Sequence, residues 1–183
     1  MFPVDLSVAA SLAAARTDGL TAFFATITNL GEVWFCIFAA SLICLFLYAA
    51  RQQKFVPELL VISLGSAATV WALKIFFALP RPSDPIALMT IDSFSFPSGH
   101  AAAAATLYGF LLWMMLGTGT TDRVRTLAAG IFFMIIVLVG FSRMYLGVHY
   151  LSDVIAGYVI GFVWVMIGVS LARSKKFTRF FAR

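Results

Sequence analysis

Charged side chains are scarce in this sequence. Lysine, arginine, aspartate and glutamate make up 11% of the 183 residues, whereas 62% are hydrophobic and the mean hydropathy is +0.98. A water-soluble domain has roughly a quarter of its residues charged, so a soluble globular domain is excluded. The composition instead predicts a helical protein that crosses a membrane several times, and the length suits a single domain.

Cysteine is almost absent, and the pattern offers neither a disulfide nor a metal site. Cys36 and Cys44 lie in one apolar run, where they are too far apart to pair within a helix. Both are predicted to be packing residues. Internal repeats and low-complexity segments are also absent from the sequence. Gly157 and Gly161 form a G-x-x-x-G pattern, which favours close packing inside the bundle over a dimer interface.

Acidic residues are fewer than basic ones, and the net charge is +5. Most of the basic residues fall in short connections or in the C-terminal tail, as they do on the cytoplasmic side of membrane proteins. These residues are Arg51, Lys54, Arg123, Arg125, Arg173, Lys175, Lys176, Arg179 and Arg183. Such a distribution does not form a nucleic-acid-binding face, so no nucleic-acid partner is expected.

Five apolar segments predict membrane spans. They are residues 33–50, 59–79, 101–117, 127–141 and 151–172. The first 31 residues are interrupted twice and predict two short helices, at the membrane interface or on the outer half of the bundle. One tilted span kinked at Gly19 is the alternative, which would give six spans.

The sequence therefore predicts an all-α, polytopic transmembrane bundle that forms one membrane-embedded domain. Its parts are residues 1–31 (interfacial or partly spanning helices), 32–172 (helical core) and 173–183 (basic cytoplasmic tail). Five spans that start outside put the basic connections inside the cell. The loops 79–100 and 142–153 are then expected to lie together on the extracytoplasmic side.

The stretch Ser142–Asp153 carries ionisable groups between two apolar runs. An ionisable side chain at the centre of a membrane costs about 2.5–3.5 kcal/mol, so the cluster indicates a shielded functional site. His149 and Asp153 have helical i, i+4 spacing and can touch. The carboxylate would then select the imidazole tautomer and leave the other nitrogen free as a base or nucleophile. A structural histidine at a helix start with a capping aspartate is the alternative.

Lys74, Arg81 and Arg143 lie near the predicted outer ends of the spans, against the positive-inside trend. A bound anion would explain them, because a guanidinium presents a planar fork to phosphate oxygens and a lysine adds a point charge. For Lys74, the alternative is a side chain that simply extends to the membrane surface.

Ser98, Gly99 and His100 directly precede an alanine-rich apolar segment. Ser98 can cap the first turn of the helix, and Gly99 lets the backbone approach a ligand closely. The free N–H groups of a helix N-terminus favour an anion there. A plain serine cap with an interfacial histidine is the alternative.

Three motifs resemble the signature of the type 2 phosphatidic acid phosphatase superfamily, in its bacterial integral-membrane lipid phosphatase branch. In order, they are Lys74-x6-Arg81-Pro82, Pro97-Ser98-Gly99-His100 and Ser142-Arg143-x5-His149-x3-Asp153. The resemblance implies a phosphate site made by Lys74, Arg81, Ser98, Gly99 and Arg143. It also implies that His149 forms a phosphohistidine oriented by Asp153, and that His100 protonates the leaving oxygen and later helps to activate water. Many bacterial members resemble a six-span bundle, one span more than the five predicted here.

The implied activity is hydrolysis of the terminal phosphate of a membrane lipid at the extracytoplasmic face of a bacterial cytoplasmic membrane. Undecaprenyl diphosphate, phosphatidylglycerophosphate and phosphatidate are the expected substrates, and their apolar tail would enter between helices near Ala101–Ala105. No metal or cofactor is expected, because three cations already in place would repel a divalent ion. A lipid A phosphatase, a vanadate-dependent haloperoxidase and a non-catalytic lipid-binding protein are the alternatives. Head group, tail and oligomeric state stay open, because the motifs recognise only phosphate.

Overall fold

The computed structural model describes residues 2–83, 85–89, 91–116 and 121–173, the last without its side chain. Within these ranges the chain forms α-helices joined by loops and by two short 3-10 turns, Thr28–Gly31 and Gln53–Phe55. The helices are α1 (Pro3–Ala14), α2 (Asp18–Ile27), α3 (Val33–Ala49), α4 (Val56–Phe77), α5 (Gly99–Leu116), α6 (Asp122–Tyr145) and α7 (Leu151–Arg173). The predicted all-α class is confirmed.

The helices α4 to α7 are each long and apolar enough to cross a membrane. Helix α3 has 17 residues and qualifies only together with the segment Asp18–Gly31, against which it is bent by 49°. Counting this pair as one span gives five, in agreement with the predicted number. Large apolar side chains face outwards, as lipid-facing residues do; Trp34 and Phe76 are 76% and 78% exposed. Cys36 and Cys44 are free and pack against the core from α3, as predicted.

Two predicted spans have bounds that differ from those of their helices. The short span at 127–141 is the middle of α6, which has 24 residues and extends beyond the apolar run at both ends. Its first turn is polar and is capped by Thr121, and Arg143 lies in its last turn rather than in the following loop. Hydropathy detects only the part of a helix that faces lipid, so it underestimated the length of α6. Helix α4 ends at Phe77, before the predicted end, because Ala78 adopts a left-handed conformation with φ 48°.

The N-terminal region forms two short helices, as predicted. The break between them lies at residues 15–17, because the Thr17 side chain caps α2 by accepting a hydrogen bond from the Leu20 N–H at 3.3 Å. Gly19 is therefore inside α2, and the alternative of a single span kinked at Gly19 is wrong. Of the predicted tail, only the first residue is described. Gly117, the predicted end of the third span, also lies outside the described residues.

Helix α5 is the central element and packs against α4, α6 and α7. A Cβ at Gly157 would lie 2.5 Å from the Ser98 carbonyl oxygen, and one at Gly161 would lie 2.5 Å from the Ala105 Cβ. The two glycines thus let α7 pack closely on α5, and the predicted internal use of the G-x-x-x-G pattern is confirmed. At the end of this contact, the Ser98 N–H donates to the Asp153 carbonyl oxygen at 3.0 Å, which joins two of the three motifs.

Candidate active site

The motif residues meet at one end of the bundle. Helices α4 and α6 end there and α5 and α7 begin there, so their connections lie side by side. The two loops that were expected to lie together do so, because Arg81 Nη1 in one lies 3.1 Å from His149 Nε2 in the other. At the opposite end of the bundle, Arg51 and Lys54 lie between α3 and α4, and Arg123 lies in the first turn of α6.

His149 and Asp153 form a buried pair, each 2% exposed. His149 Nδ1 lies 3.3 Å from Asp153 Oδ2. The same carboxylate oxygen accepts hydrogen bonds from Ser95 Oγ at 2.5 Å and from the Tyr150 N–H at 2.8 Å. The predicted contact between the two side chains is therefore present, and Asp153 also caps the start of α7.

The surroundings of His149 determine its tautomer. The Arg81 guanidinium can only donate, so His149 Nε2 must accept from it, and the ring proton is then on Nδ1 and points to Asp153. Burial lowers the pKa of His149, and the charge of Arg81 lowers it further, against the opposite effect of Asp153. The imidazole is therefore neutral at pH 7, with the Nε2 lone pair directed towards the basic side chains.

Arg81 is held by both loops. Its Nε and Nη2 donate to the Ser93 carbonyl oxygen and to Ser93 Oγ, each at 2.8 Å, and its Nη1 donates to the Val148 carbonyl oxygen at 2.7 Å. Burial lowers the pKa of Arg81, but a guanidinium remains charged at any physiological pH. The structure thus presents a cation in a defined place beside His149.

Two further cations complete the basic pocket. Lys74 Nζ donates to the carbonyl oxygens of Phe94 and, at 3.3 Å, of Ser95. Arg143 is 5% exposed, and its Nη1 donates to Thr28 Oγ1 at 2.8 Å. Its buried Nε has no hydrogen-bond partner within the described part of the chain. A buried donor without a partner costs about 1–3 kcal/mol or more when charged, so the site is suited to an oxyanion that would accept this bond.

Ser98, Gly99 and His100 open α5 at the same place, as predicted. Ser98 is fully buried, and its Oγ accepts from the Ala101 N–H at 3.5 Å, a long capping bond. The nearest atom to a Cβ built on Gly99 would be Val70 Cγ1 at 3.8 Å, so space is open in front of this residue. His100 lies against Glu32, whose Oε2 is 2.9 Å from His100 Nε2.

Several residues that hold the site were missed by the sequence reasoning. Ser93 and Ser95 lie shortly before the second motif, Pro97–His100, and this position close to a candidate site could have drawn attention to them. Thr28 and Glu32 come from the turn that precedes α3, where no local pattern indicated a role. They reach the site only because this turn packs against α5 and α6.

The N-terminal region also contacts the segments on either side of His149. Asp5 is 1% exposed and accepts hydrogen bonds from both the N–H and the Oγ of Ser152 at 2.9 Å. Arg16, which follows α1, donates to the carbonyl oxygens of Tyr145 and Ile86 at 2.9 and 2.7 Å. The N-terminal region thus ties down the chain on both sides of His149.

The described residues contain no group of three or more histidine, cysteine, aspartate or glutamate side chains that could hold a metal ion. The ionisable groups at the site are instead three basic side chains and two histidine–carboxylate contacts. This donor set suits an anion rather than a cation.

An apolar cavity of about 380 Å³ lies next to the site, between α3, α4 and α5. Lys74 and Gly99 line it together with apolar side chains such as Val70 and Trp71. Of the residues where space was expected, Ala102 and Ala103 line the cavity. The other three, Ala101, Ala104 and Ala105, are fully buried and do not line it.

The fold and the site are those of a membrane protein that binds an oxyanion between three cations, beside a histidine–carboxylate pair. Such a site is suited to phosphoryl transfer. The chain belongs to the PAP2 superfamily, whose family model matches residues 55–176 and so includes all three motifs. The resemblance noted from the motifs is therefore confirmed.

Solved structures of related proteins are similar along most of the chain. A transmembrane PAP2-type phosphatidylglycerolphosphate phosphatase from Bacillus subtilis superimposes with a TM-score of 0.84 and 27% identity, covering 91% of this chain and 83% of that one. Aquifex aeolicus LpxE superimposes with a TM-score of 0.74 and 28% identity, covering 92% and 96%. Phosphatidylglycerophosphatase B of Bacillus subtilis (strain 168) is 38% identical over 93 residues, 49% of this chain and 44% of that protein. The match thus spans less than half the length of this curated relative.

Proposed function

We propose that this protein is a metal-independent lipid phosphatase that removes the terminal phosphate from a lipid phosphate monoester or diphosphate. The observation that carries the proposal is the buried, neutral His149, whose Nε2 faces the basic pocket of Lys74, Arg81 and Arg143. A phosphate bound there would accept the unused Arg143 Nε–H and the N–H groups at the start of α5. Relatives named as phosphatidylglycerophosphate phosphatases support the same class.

In the first step, His149 Nε2 attacks the phosphorus with its lone pair. The N–P bond forms while the bond from phosphorus to the leaving oxygen breaks, and His100 supplies the proton that this oxygen takes up. The ring of His149 becomes positively charged, and Asp153 stabilises it through the Nδ1–H. The basic pocket stabilises the negative charge on the equatorial phosphate oxygens.

In the second step, water hydrolyses the phosphohistidine. His100, now neutral, takes a proton from the water as its oxygen attacks phosphorus. The N–P bond breaks, inorganic phosphate leaves, and the lone pair returns to His149 Nε2. The site is then restored without any external reactant other than water.

The apolar cavity supports a lipid rather than a water-soluble substrate. It leads away from Lys74 and Gly99 between helices that are apolar on their outer faces, so a hydrocarbon chain can lie in it while the phosphate occupies the basic pocket. We infer that phosphatidylglycerophosphate, phosphatidate and undecaprenyl diphosphate are the candidate substrates. Phosphodiesters such as phosphatidylglycerol lack the terminal phosphate and should not react.

The charge distribution supports an active site on the extracytoplasmic side of a bacterial cytoplasmic membrane. Arg51, Lys54, Arg123 and Arg125 lie at the end of the bundle opposite to the site, where the positive-inside rule places the cytoplasm.

Phosphate release from a panel of these lipids in detergent micelles tests the proposal. Turnover of at least one lipid phosphate is expected, with the efficiencies on different head groups identifying the substrate; a lipid A phosphate in the same panel tests the alternative phosphatase. A ³²P-labelled substrate should yield an acid-labile phosphoenzyme with the unaltered protein and none with His149→Ala. Turnover of water-soluble phosphates alone would refute the lipid assignment.

The character of the anion site is tested with inhibitors. Orthovanadate, which resembles the phosphate in transfer, should inhibit by occupying the basic pocket, whereas EDTA should leave turnover intact. Loss of activity in EDTA that a divalent cation restores would contradict a metal-independent reaction.

A further inference from the structure

The turn before α3 brings a carboxylate to His100 from outside the three motifs. Glu32 Oε2 lies 2.9 Å from His100 Nε2, although the ring N–H is not aligned with this oxygen as a hydrogen bond requires. The His100 side chain is 16% exposed and that of Glu32 is 44% exposed, so the contact lies at the edge of the site. Glu32 precedes α3, but its side chain makes no capping bond there, which leaves its carboxylate available to His100.

Backbone packing holds this turn against the start of α5. A Cβ at Gly31 would lie 2.5 Å from Val139 Cγ1 and 3.0 Å from the His100 carbonyl oxygen, so a larger residue would push the turn away. The Tyr108 hydroxyl donates to the Leu30 carbonyl oxygen at 3.0 Å and fixes the turn from the other side. The distance between Glu32 and His100 is therefore determined by the fold rather than by two flexible side chains alone.

We propose that Glu32 is a positioning residue for His100, and this inference rests on the proposed phosphatase function. With the Glu32 carboxylate against Nε2, Nδ1 is the nitrogen left to transfer a proton to the leaving oxygen. The site then contains two histidine–carboxylate pairs. Asp153 orients the nucleophile His149, and Glu32 orients the acid His100.

The Glu32 carboxylate has a defined role in both proton transfers. In the substrate complex, the negative charges of the bound phosphate and of Glu32 together stabilise a His100 that carries protons on both nitrogens, against the repulsion of Arg143 and Arg81. As the bond from phosphorus to the leaving oxygen breaks, the Nδ1 proton moves to that oxygen and His100 becomes neutral. In the second step Nδ1 takes a proton from the attacking water, and the pair returns to its starting state.

Leaving-group dependence separates this role from a structural one. The test uses two phosphate monoesters with the same long alkyl tail, one an alkyl ester and one an aryl ester with an acidic leaving group. Glu32→Gln, which keeps shape but removes charge, should lose about 30- to 100-fold in kcat on the alkyl ester and less than about threefold on the aryl ester. The loss on the alkyl ester is then a part of the roughly 10²- to 10⁴-fold contribution of general acid catalysis. Glu32→Asp, which keeps the charge, should restore part of the loss.

Thr28→Val is the matched control in the same turn. It removes the hydrogen bond to Arg143, so it should weaken phosphate binding and lower activity on both esters by a similar factor. The orthovanadate inhibition constant should change for Thr28→Val and not for Glu32→Gln, which also shows that the latter is folded.

A double-mutant cycle completes the test, because Glu32→Gln should have no further effect in a His100→Ala background. Equal losses on the two esters, or an additive loss in that background, would overturn the role of Glu32. Full activity of Glu32→Gln would do the same while leaving the phosphatase function standing. An unaltered protein that releases no phosphate from any ester would refute the function and this inference together.

Discussion

Replacing Asp153 by asparagine isolates the charge that supports the nucleophile. All three hydrogen bonds to this carboxylate end on Oδ2, from His149, Ser95 and Tyr150. An asparagine whose carbonyl oxygen takes the Oδ2 position can still accept them, so the loop should keep its shape. What is lost is the negative charge beside the ring of His149 at the moment the ring becomes positive.

The size of the effect follows from the geometry. The contact atoms are 3.3 Å apart, and the centres of the two charges are then about 4 Å apart. Two unit charges at about 4 Å attract by about 4 kcal/mol at an effective dielectric constant of about 20. Since about 1.4 kcal/mol corresponds to a tenfold change in rate, Asp153→Asn should lower kcat by about a thousandfold.

The assay is steady-state phosphate release from the lipid identified in the panel, with KM and the orthovanadate inhibition constant measured alongside. Both constants should change little, because Asp153 does not belong to the basic pocket. Glu58→Gln is the matched control. Glu58 is as buried as Asp153, at 2% exposed, but lies in the first turn of α4 at the other end of the bundle. Its replacement should leave kcat within about threefold of the unaltered protein.

Two results would refute the reasoning. A loss in kcat of less than tenfold would mean that Asp153 does not stabilise a cationic His149, and the covalent step would need another account. A loss that appears in KM and in orthovanadate affinity instead would mean that Asp153 shapes the phosphate site.

Three other predictions follow from the same contacts. Ser95→Ala removes a buried hydrogen bond to a carboxylate, worth about 1.5–3 kcal/mol, and should lower kcat by about 10- to 100-fold with little change in KM. Because burial lowers the pKa of His149, kcat/KM measured from pH 8 downwards should show no loss of the nucleophile near pH 6.5; a decline centred there would contradict a neutral buried imidazole. With Cys36 and Cys44 replaced by alanine, a cysteine at Asp92 should react with an impermeant reagent from outside and one at Arg123 from inside only, and the reverse pattern would invert the proposed orientation.

The sequence alone was sufficient for the number of spans and for identifying ionisable residues that the structure brings together. Spans are determined by the bilayer, which requires long apolar segments, so composition along the chain predicts them without knowledge of their neighbours. The basic and histidine side chains of the site could also be identified from the sequence, because an ionisable group is energetically unfavourable in a membrane and is therefore rare there without a function. Helix ends were less predictable, as α6 shows, because a helix continues into water on polar residues that hydropathy does not count.

The tertiary structure alone decided which residues hold the chemical groups in place. Thr28 meets Arg143 across 115 positions of sequence, and Asp5 meets Ser152 across 147. Glu32 reaches His100 because a turn fits against α5. These partners are common polar residues with ordinary local surroundings, and their roles arise only when helices pack and bring separate segments within hydrogen-bond distance. The local periodicity of the sequence carries no information about such contacts. An ionisable residue in an apolar segment, in contrast, indicates a site by itself, because its placement in a membrane is unfavourable.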